Sequence, residues 1–250
     1  MRTDLEMVVN ERTIPISPAD IKTYMIGTLR GLEALHRRWV LHRDMKPGNL
    51  LISPDGHVKL GDFGLARLHG SPQCRYTNQV CTRWYRPPEL LFGARQYGAA
   101  VDMWGAGCIF AELMLRMPYL AGDSDMQQLS IIFAARGTPT EATWPGVSAL
   151  PDYVEFTPTE TPPLRQLFRA ASDEALDLLD KLLTLCPAKR ISAADALAHP
   201  YFAADPPPTA PGKLRLTGTD HSHDAVEPMD ADAADAQAAA KSEGVAKVLF

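Results

Sequence analysis

Behind Ser17-Pro18-Ala19-Asp20, apolar residues recur at helical spacing: Ile21, Tyr24, Met25, Leu29, Leu32 and Leu35 fall on one face. Ser17 suits an N-cap, Pro18 the first helical position and Asp20 the first turn, so a long amphipathic helix is expected through about Arg38. Three short apolar runs come next and predict strands: Trp39-Val40-Leu41, Leu50-Leu51-Ile52 and His57-Val58-Lys59-Leu60. The last two are joined by the turn Ser53-Pro54-Asp55-Gly56. From Asp62 to Glu89 the chain is polar with little periodicity, and a loop of that length inside a compact domain is usually functional. Helices are predicted downstream at about 101–115, 125–136, 173–185 and 193–198. Pro206-Pro207-Pro208 then closes the folded part.

Composition narrows the class. A chain of 250 residues can bury one sizeable core, or one core and a tail. The most apolar run, 101–115, carries Asp102 and Glu112, which suits a buried helix and not a membrane span; no signal peptide is visible. Cys74, Cys81, Cys108 and Cys186 fit neither a disulfide framework nor a metal pair, which points to a reducing intracellular compartment. Residues 219–250 hold seven acids (Asp220, Asp224, Glu227, Asp230, Asp232, Asp235, Glu243) against Lys241 and Lys247, a net of −5. The whole chain is also −5, so the remainder is formally neutral, which argues against direct nucleic-acid binding. This Ala/Asp-rich tail is expected to be disordered.

Candidate chemistry sits between the predicted strands. The run His42-Arg43-Asp44-Met45-Lys46-Pro47-Gly48-Asn49 is followed, after a hairpin, by Asp62-Phe63-Gly64. Phosphoryl transfer to a hydroxyl needs the nucleophile oriented, its proton accepted and the spreading negative charge neutralised. Asp44 suits the first two tasks, Lys46 offers a positive charge to the γ-phosphate of ATP, and Asn49 and Asp62 supply hard oxygens for Mg2+. No Gly-rich phosphate loop and no strand lysine precede the run.

Together these blocks resemble the C-terminal lobe of a eukaryotic protein kinase of the cyclin-dependent group. Pro87-Pro88-Glu89 stands where the family has Ala-Pro-Glu, and 102–107 matches the start of its buried central helix. The segments 82–86, 89–95, 122–125, 150–154 and 206–214 are most similar to the cyclin-dependent kinase 7, or CDK-activating, branch. The resemblance covers roughly residues 1–215. It implies a mainly α fold, a kinase-like C-terminal lobe with small β-hairpins and the N-terminal β lobe absent. The implied division is a partial kinase domain at 1–203, a Pro-rich extension at 204–218 and the acidic tail at 219–250.

The resemblance also implies roles. Thr82 would bond Asp44 and Lys46; Asp4 would be the ribose-binding position and Leu51 the floor of the adenine pocket. Glu89 would pair with Arg190, and Asp102 would hold the catalytic-loop backbone. His42 is expected to be structural. Thr77, and Ser71 before Pro72, match phosphorylation positions, with Arg43 and Arg67 as the phosphate clamp. The carbonyl near Val80 and Cys81 would turn to Arg86, which favours proline after the target serine. Implied partners are a cyclin (H-type expected), an assembly factor of the CDK-activating complex and Ser/Thr-Pro substrates. These include the RNA polymerase II C-terminal repeat and the activation loops of other cyclin-dependent kinases. No membrane is implied; the implied location is the nucleus, with the cytoplasm as a second site. Because Met1 falls on the family's hinge methionine, a start placed inside a longer gene is expected, with the 250 residues inactive alone. A non-catalytic half-kinase acting as an interaction module is the alternative.

Overall fold

A computed structural model describes residues 3–69 and 81–216. The chain opens with strand β1 (Thr3–Asp4) and helix α1 (Leu5–Asn10), whose N-cap is Asp4, its carboxylate accepting from Met7 N. Helix α2 (Pro18–His36) comes next. Its start is the expected cap, closed in both directions: Ser17 Oγ accepts from Asp20 N at 3.1 Å, and Asp20 Oδ2 accepts from Ser17 N at 3.0 Å. Strand β2 (Val40–Leu41) leads into the Asp44 loop. Strands β3 (Leu50–Ile52) and β4 (Val58–Leu60) form the predicted hairpin.

The long polar stretch contains structure that periodicity did not announce. Strand β5 (Arg67–Leu68) pairs with β2, and α3 (Pro88–Leu91) forms behind two prolines. Helix α4 (Ala100–Leu115) is buried at every position from Val101 to Leu113, and so forms the centre of the core. Helix α2 and helix α6 (Asp173–Leu182) pack against it, while α7 (Ala193–Leu197) packs on α2 and α5 (Asp125–Arg136) on α3. Trp104 and Phe110 of α4 are fully enclosed, and each such side chain contributes roughly 2–3 kcal/mol by leaving water.

Two contacts carry this scaffold to the site. A Cβ on Gly105 of α4 would lie 2.6 Å from Met45 Cβ, so the bare backbone there lets the Asp44 loop rest directly on the central helix. Arg116, the C-cap of α4, donates to the carbonyls of Val8, Val9, Glu11 and Ile14, and ties the open end of α1 to that helix.

The expected fold class needs correction at its N-terminal edge. Residues Thr3 and Asp4 pair with Ile52 and Leu51, making a three-stranded sheet in the order β1-β3-β4 in place of a bare hairpin. The pairing satisfies the outer backbone edge of β3, which a two-stranded hairpin would leave open.

Candidate active site

The loop after β2 is shaped by a carboxylate beneath it. Asp102 is 1% exposed and accepts from His42 N (3.0 Å), Arg43 N (2.8 Å) and His36 Nε2 (2.8 Å). Arg43 has φ 66°, a left-handed conformation costing about 1 kcal/mol or more for a side-chain-bearing residue, and the Asp102 bonds hold it there. His42 Nε2 lies 2.8 Å from the Gly61 carbonyl and therefore carries the hydrogen, while Nδ1 accepts from Asp44 N at 3.3 Å. Its ring meets Phe63 edge-on at 5.3 Å. His42 thus links the Asp44 loop to the Asp62 turn.

Four groups on three side chains and one backbone converge on Asp44, itself 6% exposed. One oxygen accepts from Thr82 N (3.2 Å) and Thr82 Oγ1 (3.3 Å). The other accepts from Asn49 Nδ2 (2.9 Å) and lies 3.2 Å from Lys46 Nζ. Asn49 Nδ2 also donates to the Asp44 carbonyl at 2.7 Å. With both amide hydrogens spent on Asp44, Asn49 Oδ1 faces away from it, as a metal ligand must.

Hairpin register supplies the remaining oxygen. Leu50 pairs with Leu60, and Gly61 N donates to Asn49 O at 2.8 Å, so the residues flanking the hairpin lie side by side. Asp62 is exposed, with φ 53° and Oδ1 accepting from Gly64 N at 3.1 Å. Among the described residues, no group of three or more His, Cys, Asp or Glu could hold a metal by itself. Two hard oxygens suit Mg2+, which is held by few protein ligands together with water and phosphate. Asp4 and Leu51 are cross-strand partners, so the two positions expected to meet the nucleoside lie side by side on neighbouring strands.

The segment entering Thr82 is also strained. Cys81 has φ 67°, its thiol donates to the Arg43 carbonyl at 2.8 Å, and its own carbonyl accepts from Arg86 Nη2 at 3.0 Å. Burial pushes the Cys81 thiol pKa well up. Arg43 is buried and donates to Leu65 O (2.7 Å) and Tyr97 OH (2.9 Å). Arg67 is exposed on β5 opposite Leu41, which sets it on the strand next to the one leading to Arg43. Thr77, Ser71, Cys74, Val80 and the 219–250 tail lie outside the described residues.

Further down, Glu89 and Arg190 form a two-pronged pair at 2.7 and 2.9 Å, 2% and 7% exposed. Sequence reasoning missed Tyr97, the His36 contact to Asp102, and the Tyr85–Glu112 bond. In the last, the Tyr85 hydroxyl donates to Glu112 Oε2 at 2.7 Å. Burial raises the Glu112 carboxyl to about 7, with Glu6 adding to the rise and the Tyr85 bond opposing it. No local pattern marks these pairs; only the tertiary fold brings them together.

With this geometry in hand, comparison with known proteins is decisive: a protein kinase domain model matches residues 1–202. The chain belongs to the protein kinase domain family. It is 58% identical over 214 residues to cyclin-dependent kinase D-1 of Oryza sativa subsp. indica, covering 86% of this chain and 50% of that protein. It is 56% identical to cyclin-dependent kinase 7 of Dictyostelium discoideum over 86% of this chain and 59% of that protein. The chain spans about half the length of the curated relatives it matches. Among solved structures it resembles a chain of the CAK complex of Chaetomium thermophilum bound to ATP-gamma-S. That likeness has a TM-score of 0.83 and 46% identity, over 85% of this chain and 68% of that one. The domain match, running from residue 1, overturns the expectation of an absent N-terminal β lobe: the kinase begins, within this chain, in sheet.

Proposed function

We propose that this protein is an ATP-dependent Ser/Thr kinase of the cyclin-dependent kinase 7 type, acting on serine or threonine followed by proline. The observation that carries the reading is the Asp44 carboxylate, fixed on both oxygens by Thr82, Asn49 and Lys46. A substrate hydroxyl placed at Asp44 is oriented and loses its proton to that carboxylate. Its oxygen bonds to the γ-phosphorus as the bond to the ADP oxygen breaks. Lys46 neutralises charge on the transferred group and, when the substrate arrives, exchanges its Asp44 contact for the phosphate. Mg2+, held by Asn49 and Asp62, would supply charge neutralisation to the phosphates. Thr82 is a positioning residue that holds Asp44 in place.

Proline preference follows from the Cys81 turn. Its carbonyl is taken by Arg86, so an amide hydrogen after the target serine would meet no acceptor; proline has no such hydrogen. As the family resemblance implies, the proposed partners are a cyclin, H-type expected, and an assembly factor of the CDK-activating complex. The substrates are the polymerase II C-terminal repeat and the activation loops of other cyclin-dependent kinases, and the location is the nucleus. Thr77 and Ser71 are proposed phosphorylation sites, with Arg43 and Arg67 receiving the Thr77 phosphate. The test is phosphate transfer by the protein isolated with its cyclin, to matched Ser-Pro and Ser-Ala peptides. Transfer at least about tenfold faster to Ser-Pro supports the reading, an unpaired buried donor being worth about 1.4 kcal/mol or more. Equal rates on both peptides refute it.

A further inference from the structure

Away from Asp44, a groove of about 680 Å³ runs between α2, the β3–β4 hairpin and the C-terminal extension. Ile26, Val58, Leu60 and Pro211 give it apolar walls, and Arg30 and Lys59 line it as exposed cations. Among the described residues, neither cation has a carboxylate within ion-pair distance; His57 beside them faces Asp55 at 3.7 Å.

One wall is the chain's own exit path. Buried Lys22 donates to the carbonyls of Ala204 (2.5 Å) and Pro206 (2.8 Å), an enclosure that lowers its pKa through loss of hydration. Thr209 is fastened at three points: its N–H to Ala19 O (3.1 Å), its hydroxyl to Asp20 (2.6 Å) and its carbonyl to the Thr23 hydroxyl (2.6 Å). The extension is therefore fixed along the groove, and the described chain ends at Leu216, five residues beyond Pro211.

Residues 217–250 continue the chain from that point. The acidic part, 219–250, carries a net −5 beside a formally neutral body, and Val245, Val248, Leu249 and Phe250 cluster near its end. Sign and apolarity thus complement the groove on both counts. Reach is no obstacle, because 34 extended residues span up to ~110 Å. Tethering gives the segment an effective concentration of order millimolar, so a contact too weak to matter between separate molecules is populated within one chain.

We propose that the acidic segment 219–250 docks in cis in this groove, its apolar end against Ile26, Val58 and Leu60 and its carboxylates against Arg30 and Lys59. The segment lacks the apolar content for a core of its own and borrows one from the body.

The test is hydrogen exchange by mass spectrometry on the full chain, comparing the unaltered protein with Arg30→Glu/Lys59→Glu and with Leu249→Asp/Phe250→Asp. Arg30 and Lys59 are exposed, and protection of the α4 amides reports that the body stays folded. Amides of 240–250 are expected to exchange about tenfold or more slowly in the unaltered chain than in either variant. The difference should shrink as salt rises. Changing tail acids to lysine in the Arg30→Glu/Lys59→Glu background should restore protection. Tail exchange equally fast in all three proteins overturns the proposal. So does protection that survives Arg30→Glu/Lys59→Glu, or protection that grows with protein concentration, which would assign the contact to a second copy.

Discussion

Removing Arg190 should cost more than removing Glu89, although the two form one ion pair. Arg190 has five N–H donors and uses all of them. Nε bonds Thr184 O (2.9 Å), Nη1 bonds Glu89 Oε1 (2.7 Å) and Ala100 O (2.6 Å), and Nη2 bonds Glu89 Oε2 (2.9 Å) and Leu185 O (3.1 Å). Its guanidinium carbon also lies 5.1 Å from the centre of the Trp104 ring. Glu89→Ala leaves the cation buried, with three carbonyls and an aromatic face still around it, and should cost about 3 kcal/mol. Arg190→Met leaves a buried carboxylate and three buried carbonyls without these donors, and should cost about 5 kcal/mol or more. Arg190→Lys has three donors for five acceptors and should fall between them, closer to methionine than a conservative exchange suggests. Urea unfolding followed by circular dichroism measures all three. A Glu89→Ala cost below about 1 kcal/mol, or Glu89→Ala more damaging than Arg190→Met, would refute the reasoning.

Two further substitutions probe other parts of the molecule. The Glu112 carboxyl holds its proton to about pH 7, against an ordinary 4.5, so between those values the folded state binds a proton the unfolded state has lost. Stability should therefore fall as pH rises through that window, by at most about 3 kcal/mol, and Glu112→Gln should flatten the slope in urea midpoints at pH 5 and 8. Gly56 has φ 82°, and an added Cβ would lie only 1.9 Å from the Pro211 carbonyl oxygen. Gly56→Ala should cost about 2 kcal/mol or more and speed hydrogen exchange in residues 208–214, whereas unchanged exchange there would show that the hairpin turn does not hold the extension.

How far the fold could be read in the sequence depends on how local each cause is. The starts of α2, α5, α6 and α7 were legible because a serine cap and its backbone partner lie within three residues. The end of α6 was not. The helical pattern runs to Leu185, but the carbonyls of Thr184 and Leu185 are turned to Arg190, and the helix stops at Leu182. Helix α1 is six residues long and is held by Arg116, more than a hundred residues away, so no window of sequence could contain its cause. Strand β5 has both residues exposed and exists through its pairing with β2.

Legibility of the site divides the same way. Asp44, Lys46, Asn49 and Asp62 could be picked out because the loop and hairpin that gather them are short and contiguous. Thr82 and Asp102 came from the family resemblance; in the structure both hydrogen-bond to the loop, Asp102 from helix α4 and Thr82 through Asp44 but not Lys46. His36, Tyr97 and Glu112 meet partners far off in sequence and carry no pattern of their own. The β1 contribution to the sheet was missed because two residues are too few to alternate.

The central claim is that Asp44 is the group that orients and deprotonates the attacking hydroxyl. Its most direct test is single-turnover transfer of labelled phosphate from ATP to a Ser-Pro peptide, by the protein isolated with its cyclin, comparing Asp44→Asn with the unaltered protein. Asparagine keeps the shape and the bond from Thr82 but accepts no proton, so the transfer step should slow by about 10²- to 10⁴-fold with ATP binding little changed. Transfer at an undiminished rate would contradict the account.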